Sequence, residues 1–268
     1  MTLIDTHCHL DFNSYDGIRD AVVDEAAAAG VTRIINPGTD LDRSRAALDL
    51  ADTYPGVYAA VGIHPNSTVG FSDAVLDDVR AMAAHPKTVA IGEIGLDYYW
   101  DDSPKGTQWR AFEAQLALAA DLELPVIIHN RDASDDVLDI LSTWAGTLPE
   151  SLKQRPGVLH SFSAPQAIAD RGLALGFYIG FTGPVTFKKA DDLRHIAASI
   201  PADRILVETD GPFLTPVPHR GKRPNKPAYV RFIAERLAAL RAMPDGDFAA
   251  QSTANAEHLF ALPADPAP

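Results

Sequence analysis

Six side chains of metal-ligating type stand at the ends of apolar runs in this chain of 268 residues. His7 and His9 close Ile4-Asp-Thr-His-Cys-His9, and Glu93 closes Ile91-Gly-Glu93. His129 follows Ile127-Ile128, His160 follows Val158-Leu159, and Asp210 ends Leu206-Val-Glu-Thr-Asp210. Alternate side chains of an extended segment share a face. His7 and His9 therefore point the same way, with Asp5, while Cys8 points away. Two neutral imidazoles so placed can grip one ion if each is oriented by an outer partner. The Glu93 carboxylate can bridge two ions, one oxygen to each, and Gly92 and Gly95 beside it allow backbone and ligand to approach closely. Asp210 can bind a metal and also accept a proton from water; Glu208 is expected to face a different side. A single histidine or glutamate of this kind is more often a satisfied rim residue than a ligand, so the weight rests on the set. Four imidazoles and two carboxylates suit two divalent ions, Zn²⁺ or Mn²⁺ ahead of Mg²⁺, and argue against Ca²⁺. Ions about 3.5–4 Å apart generate hydroxide near neutral pH and clamp an oxyanion. The expected chemistry is attack of water on an ester or amide.

Three further features could hold a substrate. His64, in Gly62-Ile-His-Pro65, could donate to a phosphoryl oxygen, although a structural rim histidine is as common. Arg131 could offer its fork to a phosphate or pair with Asp132, Asp135 or Asp136. The loop from His219 to Lys226 gathers Arg220, Lys222, Arg223 and Lys226 just after Asp210. Such runs are usually solvated, but this position favours an anion-binding role, with Arg220 and Lys222 as the candidate contacts.

The elements that must position these residues alternate. Strands are predicted at Leu3–Thr6, Arg33–Asn36, Val57–Gly62, Val89–Gly92, Val126–His129, Val158–His160, Phe177–Gly180 and Ile205–Glu208. Helical stripes lie between them, such as Trp109-Phe112-Leu116-Ala119 and Val230-Ile233-Ala234-Leu237-Leu240. Eight strands, each followed by a helix, fit a TIM-type (β/α)₈ barrel of about 250 residues, with the site on the C-terminal rim of the strands. A doubly wound open sheet has the same periodicity. The barrel is preferred because strands buried on both faces should be apolar throughout, yet here several end in a polar side chain, and the strand ends of a barrel share one rim. One domain is expected over residues 1–261, with a frayed tail at 262–268. The Pro-rich stretch Thr215–Pro227 interrupts the last unit.

The net charge of −13 opposes a broad grip on polyanions, but not an enzyme that meets one strand end at a cationic pocket. Cys8 is the single cysteine, so no internal disulfide forms and a reducing compartment is expected. The N-terminal residues do not have the pattern of a secretory signal, and no apolar run reaches the roughly 18 residues of a membrane span. A cytoplasmic protein is expected, with no membrane association and no obligate protein partner.

Taken in order, the motifs resemble the TatD family of metal-dependent deoxyribonucleases and hydrolases, within the amidohydrolase-like superfamily. The likeness runs from Asp5-Thr-His-Cys-His-Leu-Asp11 through Gly62-Ile-His-Pro65, Gly92-Glu-Ile-Gly-Leu-Asp-Tyr98 and Pro125-Val-Ile-Ile-His-Asn-Arg131. It continues through His160-Ser-Phe-Ser163, Val207-Glu-Thr-Asp210 and the Arg220-Gly-Lys loop. The resemblance implies a TIM-type barrel with His7 and His9 on one ion, His129 and His160 on a second, and Glu93 between them. It makes Asp210 the ligand that also accepts a proton and His64 a substrate contact. It further implies DNA hydrolysis, including trimming of single strands from the 3′ end. The chain departs from the pattern at Ala164, at Gly211 and at Pro224, which lengthens the loop at 219–227. An amidohydrolase or lactonase, an aminoacyl-tRNA deacylase and a catalytically silent scaffold are the competing expectations. The first often bridges its metals with a carbamylated lysine, whereas here Glu93 ends the fourth strand and Lys87 lies before it.

Overall fold

A computed structural model describes residues 1–263. Eight parallel strands follow one another in sequence order around a barrel. They are β1 (Leu3–Asp5), β2 (Val31–Pro37), β3 (Val57–Val61), β4 (Thr88–Asp97), β5 (Val126–Arg131), β6 (Gly157–Leu159), β7 (Tyr178–Phe181) and β8 (Ile205–Val207). The last strand meets the first through the Thr6 N–H, which donates to Val207 O at 3.2 Å, and through a bridge between Cys8 and Gly211. The barrel is a TIM barrel. All eight expected strands are present, and their ends differ from expectation by a few residues.

Alternation along the strands explains why a barrel forms. Ile4, Ile35, Ala60, Ala90, Ile127 and Leu206 join one buried cluster, which is the barrel interior. Their chain neighbours Leu3, Ile34, Ala59, Ile91, Val126 and Val207 join another, against the surrounding helices. Every strand is thus apolar on both faces, as helix-covered parallel sheets require. The helices are α1 (Arg19–Ala28), α2 (Leu41–Thr53), α3 (Asp73–Ala83), α4 (Lys105–Leu122), α5 (Ser134–Ala145), the short α6 (Glu150–Lys153), α7 (Gln166–Ala174), α8 (Asp191–Ser199), α9 (Val230–Leu240) and α10 (Asp245–Phe260). Phe112, Leu116 and Ala119 of α4 and Val230, Ile233 and Leu237 of α9 are buried, as their spacing requires.

Besides the short α6, α10 lies outside the strand–helix alternation. Ala256, Leu259 and Phe260 of α10 pack with the interior cluster, so this helix plugs the barrel at the end away from the site. Leu262 belongs to the same cluster and Pro263 O accepts from Arg33 at 2.7 Å. The expectation of a tail frayed from residue 262 is corrected accordingly: these two residues are anchored, and 264–268 lie outside the described residues. Leu259→Ala is expected to cost roughly 2–4 kcal/mol of stability, because the interior cannot collapse onto the cavity. Chemical denaturation checks this. Among the described residues, no helix is long and apolar enough to cross a membrane.

Candidate metal centre

The six expected ligands converge at the C-terminal mouth of the barrel. His7 Nε2 and His9 Nε2 lie 3.2 Å apart, and Glu93 Oε2 lies 3.4 Å from the first and 3.7 Å from the second. The other oxygen of Glu93 faces different imidazoles: His129 Nδ1 at 2.8 Å and His160 Nε2 at 3.8 Å. Asp210 Oδ1 stands 3.9 Å from His7, 3.7 Å from His9 and 4.0 Å from His160. Ligand atoms lie within 4.8 Å of one another in the groups His7–His9–Glu93, His7–His160–Asp210 and His64–Glu93–His129. His160 also stacks on His7, with ring centroids 3.5 Å apart, and so stands nearer the first pair than a simple two-and-two division suggests. His129 is drawn outward because its Nε2 meets Asp97 Oδ2 at 2.9 Å.

Local backbone explains how Glu93 reaches the centre. The register of β4 against β5 shifts between Ile91 and Ile94, and such an irregularity re-aims a side chain. The neighbouring glycines have a different use from the expected approach of a ligand. A Cβ on Gly92 would lie 2.7 Å from Ile127 Cβ, and one on Gly95, whose φ is +146°, would lie 2.0 Å from His129 O. They let β4 lie tight against β5.

Outer partners set the tautomers. Nδ1 of His9 lies 3.2 Å from Pro37 O, which can only accept, so that nitrogen carries the hydrogen and Nε2 presents its lone pair. Nδ1 of His160 lies 3.0 Å from Glu208 Oε1, with the same consequence. His64 is arranged the other way. Its Nδ1 accepts the Asn66 N–H at 3.1 Å, so the neutral ring keeps its proton on Nε2 and is a donor rather than a ligand. The lone pair of His9, the neutral ring of His7, and His160 once it sheds its second proton, beside two carboxylates, fit a divalent cation.

Glu208 corrects an expectation. It is fully buried and faces inward, as does Leu206 two residues before it, because alternation returns to the same face every second residue. The backbone then turns at Asp210, whose φ is +53°, and both carboxylates reach opposite nitrogens of His160. Glu208 also accepts from Thr6 Oγ1 and the Ser161 N–H. Asp97 is a second residue that sequence reasoning passed over. Its Oδ1 accepts the N–H groups of Tyr99 and Trp100 while Oδ2 holds His129. Its place at the end of β4, four residues after Glu93, was the available signal.

Burial and charge pull the titrating groups apart. Burial, reinforced by His160, lowers His7 to about 3; burial and His129 lower His64 to about 3. Burial opposes the charged form of His160 as well, but Glu208 overrides it and raises the ring to about 9. His129 is raised by its bonds to Asp97 and Glu93 against the same burial. Glu93 is held well below the carboxylate range by its imidazoles although burial works the other way. Burial raises Asp210 to about 6, opposed by His160 and His9.

The cluster floors a cleft of about 1000 Å³ lined by His64, Trp100, Arg131, Ala164, Phe213 and Arg223 among others. The Arg131 guanidinium lies 3.9 Å from the Tyr99 ring centroid and is not used to cap a helix. Arg220 and Lys222 belong to the same loop as Arg223 but do not line this cleft. Lys87 lies at the opposite end of the barrel, where its ammonium caps Ala51 O at 2.6 Å and Tyr54 O at 3.1 Å. It cannot bridge metals in this cluster. Gly211 is accounted for by packing: a Cβ there would meet Tyr15 Oη at 2.5 Å and Cys8 Sγ at 2.8 Å.

The family model described as TatD related DNase matches residues 4–261. The chain belongs to the TatD family. It is 42% identical to YabD of Bacillus subtilis (strain 168), an uncharacterized metal-dependent hydrolase, over 97% of this chain and 99% of that one. It is 39% identical to the 3'-5' ssDNA/RNA exonuclease TatD of Salmonella typhimurium, over 96% and 98%. The crystal structure of YjjV, a TatD homolog from Escherichia coli K12, superposes with a TM-score of 0.89 at 35% identity, covering 97% of this chain and 98% of that one. As a TatD-family protein, the chain is a metal-dependent hydrolase acting on ester bonds.

Proposed function

We propose that the chain is a two-metal phosphodiesterase that trims single-stranded nucleic acid, DNA foremost, from the 3′ end. The observation that carries the two-metal reading is the division of Glu93, whose Oε2 faces His7 and His9 while Oε1 faces His129 and His160. His7, His9 and Asp210 would hold one cation and His129 and His160 the other, with Glu93 shared. Zn²⁺ or Mn²⁺ suits this imidazole-rich set better than Mg²⁺. Divalent cations there supply a nucleophile at neutral pH and positive charge for the developing oxyanion. Asp210 accepts the proton of the attacking water. His64, neutral and protonated on Nε2, donates to a phosphoryl oxygen, and Arg131 on the cleft wall balances the phosphate charge. The likeness to a relative named as a single-strand exonuclease supports the nucleic-acid substrate. The place of Lys87 counts against a carbamyl-bridged amidohydrolase.

A screen of the metal-reconstituted protein over end-labelled DNA and RNA oligonucleotides, beside a lactone panel, tests this. Stepwise release from the 3′ end is the expected result. Turnover of lactones with intact oligonucleotides would replace this reading with the small-molecule one.

Two smaller effects follow from the outer partners. Glu208→Gln removes the negative acceptor that holds Nδ1–H of His160, so metal affinity is expected to fall roughly 10–100-fold; competition with a chromogenic chelator reads it. Cation binding should also release protons. His160, raised to about 9, carries a second proton at neutral pH in the ion-free protein and must shed it to ligate, and the upward shift of His129 acts in the same direction. At least one proton per chain, from His160, is therefore expected to leave at pH 7. Affinity should climb with pH and level off once pH passes about 9. Calorimetry in buffers of different ionisation enthalpy measures the release.

A further inference from the structure

We propose that the loops after β7 and β8 form a cationic track that carries the sugar–phosphate backbone of a single-stranded polynucleotide away from the metal-ligand cluster. The proposal rests on the nuclease reading above and adds where the uncleaved strand lies.

The charge on the rim is sharply divided. Residues 177–190 and 211–226 contain Lys188, Lys189, Arg220, Lys222, Arg223 and Lys226 and no carboxylate, on a chain of net charge −13. The loops across the mouth from β8 are acidic, with Asp101 and Asp102 after β4 and Asp132, Asp135 and Asp136 after β5. A polyanion whose end sits at the cluster is repelled on that side and attracted over the β7 and β8 loops.

These cations are also available. Lys188, Lys189, Lys222 and Arg223 are exposed, and among the described residues none has a carboxylate partner, whereas Arg19, Arg33, Arg43, Arg80 and Arg171 all do. The acid next along the chain from the two lysines, Asp191, is taken by Arg194. Lys226 is taken by Glu25 at 2.7 Å and is left out of the track.

The two loops form one surface. The Val217 N–H donates to Thr186 Oγ1 at 2.9 Å, and the Arg220 guanidinium lies 4.1 Å from the Phe187 ring centroid, beside Lys188. Asn225, fully buried, donates to Thr209 O and Phe213 O and so pins the base of the longer loop. Pro184, Phe213, Leu214 and Arg223 line the same cleft as Glu93 and Asp210, which joins the track to the site. Phosphate contacts of this kind position a strand without reading its sequence.

The test compares wild type with Lys188→Ala/Lys189→Ala, and with Arg110→Ala, an exposed cation on α4, as control. The substrates are a labelled single-stranded 20-mer and a dinucleotide. The double variant is expected to raise KM for the 20-mer by about 10-fold with kcat unchanged. Its slope of log KM against log salt should fall by about 1.4, that is 0.7 for each phosphate no longer neutralised. The dinucleotide and the control should stay within about twofold of wild type. Equal effects on both substrates, or none on either, would overturn the track. Fluorescence anisotropy of the 20-mer reads the track apart from turnover. Loss of binding in the double variant of a protein that cleaves no oligonucleotide would keep the track and reject the nuclease reading. Equal loss for duplex would overturn the restriction to single strands.

Discussion

Glu93→Gln is expected to lower kcat/KM by roughly 10³–10⁴-fold and to leave no more than one ion per chain, with the fold intact. The cation pair contributes several kcal/mol of charge stabilisation, and each 1.36 kcal/mol is tenfold in rate. Only a carboxylate offers two equivalent anionic oxygens, and in this barrel each has its own imidazoles: His7 and His9 within 3.7 Å of one, His129 at 2.8 Å from the other. Glutamine has nearly the same shape, so the loss would report charge rather than volume. Its amide would present hydrogens to one imidazole set. Metal content by atomic emission and far-UV circular dichroism separate the effect from unfolding. Retention of two ions with activity within tenfold of wild type would remove Glu93 from the shared position.

Asp210→Asn should act mainly on kcat, by roughly 10²–10⁴-fold, the usual worth of a positioned proton acceptor, with KM changed only a few-fold. Burial raises this carboxyl to about 6, close enough to neutrality to take up a proton and release it. The amide cannot do so. Its Oδ1 contacts with His7, His9 and His160 all exceed 3.6 Å, so one cation is expected to bind more weakly without being lost. Single-turnover cleavage of an end-labelled oligonucleotide at saturating metal gives the rate of the chemical step. An unchanged rate there would pass the proton-accepting role to another group. Together the two variants distinguish holding the ions from using them.

Outer partners were harder to read than ligands. Glu208 was expected to face away from Asp210, yet period-two alternation puts Leu206, Glu208 and Asp210 on one face, and the expectation misapplied it. The strand ends at Val207 and the chain turns at Asp210 through a positive φ. Asp97 went unnoticed because its type alone does not separate a carboxylate that orients a histidine from one that faces water, and its place four residues after Glu93 was the one signal. The basic loop was legible as a charge run. Which of its members face the cleft depended on how it folds back, so Arg223 lines the mouth while Arg220 lies over Phe187. Helix α10 escaped the strand–helix pattern because its apolar residues answer to the open end of the barrel rather than to a neighbouring strand.

The chain alone determined the barrel and its ligand candidates, since hydrophobic periodicity is local and a polar residue closing an apolar run stands out against it. Tertiary structure decided everything that depends on atoms distant in sequence. It chose which oxygen of Glu93 meets which imidazole, which nitrogen of His64, His9 and His160 keeps its proton, and which flank of the mouth is positive. Those outcomes arise from angstrom-scale distances set by strand register and closure of the sheet, and no spacing along the chain encodes them.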